Sequence, residues 1–323
     1  MLNFTDIAEA AERLKGYALP TPILESDRLN ENLHGRLLIK PENLQRTGSF
    51  KFRGAFNKIS KLSKNERAAG VVAFSSGNHA QGVAAAAKIL SIKATIVMPS
   101  DAPSIKIENT KSYGAEVVLY QRSDGNRVEV TQEIVAKTGA VLIPPYDDPD
   151  IMAGQGTIGL EFAKQADGLG VSLEILAGPC SGGGMIGGCA LALHSLSPTT
   201  KIYSVEPEFY DDTALSLAAG KRIKISPTQN SICDALLLET PGHITFEVNQ
   251  QLLTKGLSVS DAETERAMKT AFREFKIVLE PGGAVALAAV LEGLLNIEGK
   301  TAGVVCTGGN VDPETFRKAL ASE

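Results

Sequence analysis

The feature that most constrains the fold is an alternation of short β-branched runs with Ala-rich stretches of helical length, repeated from about residue 70 onward. The runs end in Gly, Ser, Asn or Pro, which are residues that close strands and form turns. Parallel strands joined by right-handed helical crossovers produce this pattern. The sequence therefore predicts an α/β fold of mostly parallel, doubly wound sheet, with strands at 71–74, 94–98, 115–120, 140–143, 173–177, 201–205 and 302–306.

The series is interrupted after its fourth strand by Pro144-Pro145 and the polar segment YDDPDIMAGQG. A chain of 323 residues, 43% of them hydrophobic, is long and apolar enough to form two hydrophobic cores. We therefore predict a large domain of residues 1–47 and 149–323. A smaller α/β domain of residues 48–148 is inserted between its two parts.

Charge and hydropathy exclude two classes of partner. The net charge is −5 and the Lys and Arg residues are scattered, so no basic surface is available for nucleic-acid phosphates. The longest apolar stretch, roughly 284–295, is shorter than the about 20 residues that cross a bilayer. The N-terminus lacks the basic start and apolar block of a signal peptide. We expect a cytoplasmic protein with neither nucleic-acid nor membrane partners.

The strongest single motif is a glycine-rich loop, GPCSGGGMIGG at 178–188, between a predicted strand and a predicted helix. Backbone N–H groups at a helix N-terminus bind phosphate. Residues 182–187 also fit the pattern G-x-G-x-x-G, and Glu206 ends the next strand, where a dinucleotide-binding fold has its ribose-binding acid. The loop alone leaves open a mononucleotide-like phosphate cofactor, an NAD-dependent oxidoreductase, and glycines that only allow close packing.

A second motif, TGSFKFRGAF at 47–56, places Lys51 between Phe50 and Phe52 in a turn of small residues. Apolar surroundings lower the pKa of a lysine and make its amine a usable nucleophile. The segment resembles the Schiff-base lysine motif of the fold type II pyridoxal-phosphate enzymes, which are related to the tryptophan synthase β-chain. Within them it is similar to the branch of threonine and serine dehydratases and serine racemases. An oxidoreductase would not explain this lysine and is a remote alternative.

The resemblance extends over nearly the whole chain. SSGNHAQ at 75–81 resembles the loop whose asparagine donates to the cofactor ring oxygen and whose serine and backbone hold the substrate carboxylate. CTGGNVD at 306–312 resembles the segment whose hydroxyl meets the pyridine nitrogen, while Ser181 stands where the family usually has the first glycine of its phosphate loop. The resemblance implies that pyridoxal 5'-phosphate is bound by Phe50, Lys51, Asn78, Ser181, Gly182, Gly183, Gly184, Met185, Glu280 and Thr307.

The resemblance also implies catalytic and substrate-binding residues. Lys51 is the expected base, and Ser76 stands where racemases have a serine on the opposite face. Arg127 aligns with an arginine of serine racemases and hydroxyaspartate enzymes, and its guanidinium suits a second carboxylate. Against a racemase, the polar residue expected after Asp234 is replaced within Leu236-Leu237-Leu238. The predicted substrate-binding residues are Ser75, Ser76, Asn78, His79 and Arg127.

These residues predict an ammonia-lyase that converts a β-hydroxy amino acid to a 2-oxo acid and ammonia by α,β-elimination. A neutral hydroxyl at Thr307 does not keep the pyridine nitrogen protonated as a carboxylate would, which favours elimination. L-Serine and L-threonine are the expected substrates, and 3-hydroxyaspartate is the variant that Arg127 suggests. A serine or aspartate-type racemase that uses Lys51 and Ser76 is the alternative.

The segment EPEFYDD at 206–212 resembles the divalent-metal site of the same branch. The carboxylates of Glu206 and Asp212, with the carbonyl of Tyr210 and water, would provide the oxygen ligands that Mg²⁺ or Ca²⁺ prefers. Mn²⁺ is a further candidate, and a solvated acidic loop is the alternative to a metal site. The resemblance finally implies a homodimer in which the small domain closes over the substrate.

Overall fold

The computed structural model describes residues 2–102, 104–121 and 127–321, and within these ranges it contains two parallel sheets with helices packed against them. The strands are β1 (Arg36–Pro41), β2 (Val71–Phe74), β3 (Ala94–Pro99), β4 (Glu116–Tyr120), β5 (Val141–Leu142), β6 (Ile175–Pro179), β7 (Lys201–Pro207), β8 (Lys255–Val259) and β9 (Thr301–Cys306).

Helices connect and cover these strands. In chain order they are α1 (Phe4–Leu14), α2 (Asp27–Leu33), α3 (Lys51–Ser60), α4 (Lys64–Ala69), α5 (Asn78–Ile89), α6 (Ser104–Ser112), α7 (Arg127–Thr138), α8 (Pro149–Gly168), α9 (Gly184–Leu196), α10 (Asp212–Ala219), α11 (His243–Leu252), α12 (Asp261–Phe275), α13 (Pro281–Leu291) and α14 (Pro313–Ala321). Short 3₁₀ turns occur at Glu42–Leu44, Arg46–Gly48 and Asp234–Leu236.

The larger sheet has the strand order β1-β9-β6-β7-β8, and the smaller has the order β4-β3-β2-β5. Every pair of adjacent strands is parallel; at the centre of the larger sheet, Ala302 of β9 pairs with Leu37 of β1 and with Ile175 of β6. Parallel sheets covered on both faces need nearly continuous apolar strands, as the fully buried Leu37, Leu38 and Ile39 illustrate. The predicted α/β fold with parallel sheets is confirmed.

Two strands are absent from the sequence prediction. β1 lies before residue 70, where the regular alternation of strand and helix begins, so no repeated pattern marks it. β8, with the sequence KGLSV, pairs only with β7 at the edge of its sheet, where a continuous apolar run is not required. The smaller sheet uses residues 71–142 and the larger uses 36–41 and 175–306. The domain boundaries near residues 48 and 148 stay a prediction.

The most apolar helix is α13, and it lies inside the protein. Its residues Pro281 to Val290 are all buried, and it packs against β6, β7, β8, β9 and α12. It accounts for most of the apolar stretch seen in the sequence. In the parts of the chain that the structure describes, no helix combines the length and apolar character needed to cross a membrane.

A buried cluster of charges joins three elements beneath the first turn of α3. Arg53, fully buried, donates from Nε to Glu42 Oε2 at 2.7 Å and from Nη1 to Glu161 Oε1 at 2.6 Å. Lys40, also fully buried, donates to Glu161 Oε2 at 3.0 Å. Because a buried charge without its partner is costly, these groups hold the start of α3 against the end of β1 and against α8.

Helices α8 and α9 pack with their backbones in contact, and glycines allow it. A Cβ atom at Gly159 would lie 2.8 Å from the Cα atom of Cys189, and one at Gly188 would lie 2.4 Å from the carbonyl oxygen of Met152. These distances are too short for real side chains. The glycines therefore set the distance between α8 and α9. Helix α9 is the one that begins at the glycine-rich loop.

We expect Gly159→Ala to reduce the free energy of unfolding by about 1–3 kcal/mol, the usual cost of an overpacked site. Gly168→Ala at the end of the same helix is the matched control, because a Cβ atom there meets nothing within 4 Å. This control should be neutral or stabilising by up to about 1 kcal/mol, since Ala favours helix more than Gly does. Urea unfolding of both variants measures the difference; equal stabilities would contradict the packing argument.

Candidate active site

Loops that follow β2, β6 and β9 meet at one cavity of about 460 Å³. In parallel sheets the carboxyl ends of strands share an edge, so loops after different strands come together there. The cavity is lined by every residue predicted from the sequence to bind cofactor or substrate or to act in catalysis: Phe50, Lys51, Ser75, Ser76, Asn78, His79, Arg127, Ser181, Gly182, Gly183, Gly184, Met185, Glu280 and Thr307.

Lys51 is the first residue of α3, and its amine points into this cavity. Its Nζ donates to the carbonyl oxygen of Pro145 at 2.8 Å and lies 5.2 Å from the ring centroid of Phe50. Burial lowers the pKa of Lys51 to about 8, and the negative charge of Glu280 partly opposes this shift. Near neutral pH the amine is therefore much easier to deprotonate than an ordinary lysine.

The turn before Lys51 is joined to the loop after β9 by main-chain contacts. The Phe50 N–H donates to the Thr307 carbonyl at 3.2 Å, and Ser49 forms an isolated bridge with Gly308. The Gly309 N–H donates to the Gly48 carbonyl at 2.9 Å. Thr307 is also buried, so the positions of its neutral hydroxyl and of Lys51 are fixed relative to each other.

The segment after β2 forms a second wall of the cavity. The Ser75 hydroxyl accepts from the Gly77 N–H at 3.1 Å, which shapes the turn into α5. Asn78, the first residue of α5, donates from Nδ2 to Glu280 Oε1 at 2.6 Å. Burial and the nearby Asp234 raise the pKa of Glu280 to about 7. This segment and the start of α13 are thus linked across the cavity.

His79 makes a hydrogen bond to the main chain, which differs from the substrate contact predicted for it. Its Nε2 lies 2.8 Å from the carbonyl oxygen of Ile143. Burial and the charge of Lys51 lower the pKa of His79 to about 3, so the ring is neutral and donates to that carbonyl. His79 therefore fixes the start of α5 to the segment that follows β5.

The glycine-rich loop is held from behind by α11. Thr245 donates its hydroxyl to the Gly182 carbonyl at 2.6 Å, and Asn249 Nδ2 donates to the Gly183 carbonyl at 3.3 Å. Gly183 has a φ of +84°, a left-handed conformation that glycine adopts without strain. The first N–H groups of α9 have no partners within that helix, and they lie beside the cavity where a phosphate fits.

The segment after β5 connects these parts, and the sequence analysis assigns no site residue in it. Pro145 supplies the carbonyl that accepts from Lys51, and the next residue, Tyr146, places its ring against Gly182, where a Cβ would lie 2.2 Å from a ring atom. Asp147 accepts the main-chain N–H groups of His243, Ile244 and Thr245 at 2.9, 2.8 and 3.1 Å. In the sequence, PPYDDP interrupts the alternation of strands and helices, and residues 143–147 also resemble the dehydratase pattern, but neither observation indicates the contact of Asp147 with α11.

Positive charges other than Lys51 lie at the side of the cavity. Arg127 begins α7, and its guanidinium carbon lies 5.4 Å from the ring centroid of Phe74. Lys106, which the sequence analysis does not single out, forms an ion pair of 2.7 Å with Asp234. Among the described residues no carboxylate pairs with Arg127. The rest of its predicted turn, residues 122–126, lies outside the described residues.

The predicted metal ligands do not line the cavity. Glu206, near the end of β7, accepts the N–H groups of Thr213 at 3.1 Å and Ala214 at 2.8 Å, so it caps α10 and is not free for a ribose. Asp212 is fully buried, and neither of its carboxylate oxygens has a hydrogen-bond partner. Burial raises the pKa of both carboxyls, and for Glu206 the charge of Asp212 adds to this shift. Within the described ranges no group of three or more His, Cys, Asp or Glu could hold a metal ion.

Comparison with known proteins identifies the family. The sequence model of the family described as "Pyridoxal-phosphate dependent enzyme" matches residues 14–308. The chain belongs to this family.

Relatives of known activity cover nearly the whole chain. An L-threo-3-hydroxyaspartate ammonia-lyase of Pseudomonas sp is 44% identical over 98% of both chains. A serine racemase of Schizosaccharomyces pombe is 39% identical over 99% of this chain and 97% of its own. The crystal structure of a threonine deaminase from T.th. superposes with a TM-score of 0.91, at 41% identity over 96% of this chain and 99% of that chain.

Family membership decides between the cofactors that the glycine-rich loop left open. Pyridoxal phosphate is the cofactor, the fold type II architecture is confirmed, and the dinucleotide alternative is wrong. The residues present fit this group: a buried amine of lowered pKa stands at one side of the cavity, and a helix N-terminus with three glycines stands at the other. When bound, the cofactor supplies an electron sink for the bond that breaks at the substrate Cα atom.

The pKa of Lys51 gives a direct prediction for the cofactor-free protein. Acetylation of its amine, measured by mass spectrometry of the peptide, should rise with pH through a midpoint near pH 8, because only the neutral amine reacts. For an ordinary lysine this midpoint lies at about pH 10.4. Glu280→Gln should lower the midpoint further, since the Glu280 charge favours the protonated amine. Lys51→Arg identifies the peptide signal, and a midpoint near that of an ordinary lysine or a rise in Glu280→Gln would contradict the assignment.

Proposed function

We propose that this chain is an ammonia-lyase that converts a β-hydroxy amino acid to a 2-oxo acid and ammonia by α,β-elimination. The observation that carries the proposal is the deprotonatable Lys51 amine in one cavity with Asn78, Thr307 and the N-terminus of α9. Within the substrates open to such an enzyme, the cavity favours a dicarboxylic one, 3-hydroxyaspartate. L-Serine and L-threonine are the simpler members of the same class.

Each wall of the cavity has a role in this reaction. The Lys51 Nζ takes the proton from the substrate Cα atom, because its lowered pKa makes the amine a base near neutral pH. The Ser75 to Asn78 segment, at the N-terminus of α5, receives the α-carboxylate with its main-chain N–H groups and hydroxyls. Thr307 offers a neutral hydroxyl, so no carboxylate there stabilises a proton on the ring nitrogen.

The charge inventory of the cavity supports a second substrate carboxylate. Three of its described lining residues carry positive charge: Lys51, Lys106 and Arg127. Lys51 serves as the base, and Lys106 is already paired with Asp234. Arg127 pairs with no carboxylate among the described residues, and its guanidinium, which lies over the Phe74 ring, has the fork geometry that binds a carboxylate with two hydrogen bonds. The 44% identical Pseudomonas relative is named for a substrate of this kind.

A racemase is the second candidate, because Ser76 lines the same cavity as Lys51. A hydroxyl there would return a proton to the face opposite the lysine and give the other enantiomer. The Schizosaccharomyces pombe relative is a serine racemase. However, Leu236 and Leu238 line the cavity on the side where a racemase is expected to have a polar residue, and this favours the lyase.

We expect Arg127→Ala to raise the KM for L-threo-3-hydroxyaspartate by about 10–100-fold, the worth of a charge-assisted bond pair. Its KM for L-serine should change less than about threefold, since serine has no second carboxylate. Arg127→Lys is the matched control and should recover part of the difference, because it keeps the charge but not the guanidinium fork. The assay measures 2-oxo acid release together with D-serine formation. Equal losses on both substrates would refute the role of Arg127, and dominant D-serine formation would favour the racemase.

We also propose that a divalent cation, Mg²⁺ or Ca²⁺, binds between Glu206 and Asp212. The support is the pair of partnerless, fully buried carboxylate oxygens of Asp212, because a buried charge without compensation is costly. Two carboxylates alone do not complete the coordination of such an ion. The Tyr210 carbonyl and water would provide the remaining oxygen ligands.

If a cation binds there, chelation should lower the unfolding free energy and added Mg²⁺ or Ca²⁺ should restore it. At a cation concentration about a hundredfold above Kd the gain is about 2.7 kcal/mol. Asp212→Asn should remove this dependence. Asp211→Asn should retain it, since the side chain of Asp211 caps no helix N–H group and is not among the proposed ligands. Thermal unfolding with and without EDTA measures both variants, and identical behaviour of the two would argue against the site.

A further inference from the structure

Asn310 lines the cavity but has no assigned role. It lies in the loop after β9, and its side-chain nitrogen makes two hydrogen bonds. Nδ2 donates to the main-chain carbonyl of Thr47 at 2.8 Å and to Oδ1 of Asn78 at 2.7 Å. Asn310 therefore contacts the turn before Lys51 and the start of α5 at the same time.

These bonds fix the orientation of two amides. A main-chain carbonyl can only accept, so Asn310 must present its nitrogen to Thr47. The second hydrogen of that nitrogen then faces Asn78, which must present its oxygen. The nitrogen of Asn78 is consequently turned away from Asn310 and donates to Glu280 Oε1 at 2.6 Å, with one N–H left for another acceptor in the cavity.

The backbone around Asn310 is shaped to permit this contact. Thr47 and Gly48 have φ values of +64° and +71°, so two successive residues adopt the left-handed conformation just before Lys51. A Cβ atom at Gly48 would lie 2.6 Å from Oδ1 of Asn310. On the other side, a Cβ atom at Gly308 would lie 2.2 Å from Glu280 Oε1 and 3.1 Å from Nδ2 of Asn78. Gly48 thus leaves space for the Asn310 side chain, and Gly308 leaves space for the hydrogen-bonded side chains of Asn78 and Glu280.

We propose that Asn310 is a positioning residue that holds the Asn78 amide with its N–H toward the ring oxygen of the cofactor. This inference rests on the proposed function and on the contact that the family resemblance implies for Asn78, donation to that ring oxygen. A reversed Asn78 amide would place its Nδ2 against Nδ2 of Asn310, two donors facing each other, and would present Oδ1 as an acceptor to the ring oxygen. Both contacts would be repulsive. The Thr47 carbonyl therefore fixes the orientation of the Asn310 amide, and Asn310 fixes the orientation of the Asn78 amide toward the cofactor.

The test replaces the donor of Asn310 by an acceptor of the same shape. Asn310→Asp should turn the Asn78 amide around, which should shift the visible absorption maximum of the bound cofactor and raise its dissociation constant at least tenfold. Asn43→Asp is the matched control, because Asn43 lies beside Gly309 and donates to the Val278 carbonyl at 3.1 Å without contacting Asn78. We expect less than a twofold change in that control. A spectrum and a dissociation constant for Asn310→Asp equal to those of the unmodified protein would overturn the proposal.

A double variant separates positioning from a general structural role. If Asn310 acts mainly through Asn78, adding Asn310→Asp to Asn78→Ala should raise the cofactor dissociation constant by much less than the tenfold expected of Asn310→Asp alone, because only the contact with Thr47 is left to lose. Multiplied effects would show that Asn310 acts independently of Asn78, against the proposal. Asn310→Ala, which removes both hydrogen bonds without adding a charge, provides the same comparison if the aspartate variant does not fold. Absence of lyase activity in the unmodified protein would refute the proposed function, while the spectra and dissociation constants would still decide the role of Asn310.

Discussion

The site depends on one constraint, which is that strands in a parallel sheet end at the same edge. β2 belongs to the smaller sheet, and β6 and β9 belong to the larger one, yet the segments after all three line a single cavity. Each strand is buried along most of its length, so its end is held firmly by packing. The segment of Asn78, the glycine-rich loop and the segment of Thr307 therefore reach the cavity as fixed parts, without support from long loops.

Lys51 does not directly follow a strand and needs other restraints. Main-chain bonds attach its turn to the Thr307 segment, and the buried Arg53 in the first turn of α3 is paired with Glu42 and Glu161. Such buried ion pairs add little net stability compared with apolar packing, but removing one partner is costly. The cluster is therefore best understood as fixing the direction of α3, and with it the direction of the Lys51 amine.

The sequence was sufficient for the parts that have local patterns. Strand-helix alternation predicted the parallel fold, and motifs that resemble those of the pyridoxal-phosphate enzymes predicted the residues that line the cavity. It assigned no role to Asp147 and Asn310, whose partners are distant in the chain. Asp147 binds N–H groups 96 to 98 residues away, and Asn310 binds Thr47, 263 residues away. No spacing rule connects such positions, because the contact exists only after the two sheets are in place. The edge strand β8 was missed for a related reason, since pairing with β7 alone leaves little apolar signal.

Burial also determines how charge is distributed between the interior and the side of the cavity. Inside, it shifts the pKa values of Lys51, His79 and Glu280 toward their neutral forms. At the side of the cavity, Arg127 is exposed, and Lys106 forms an ion pair with Asp234. In the proposed function, an anionic substrate is attracted by Arg127, and the buried Lys51 amine, with its lowered pKa, takes the proton. In the proposed function, the desolvation that lowers the pKa of Lys51 and makes its amine a base also leaves the recognition of substrate charge to Arg127.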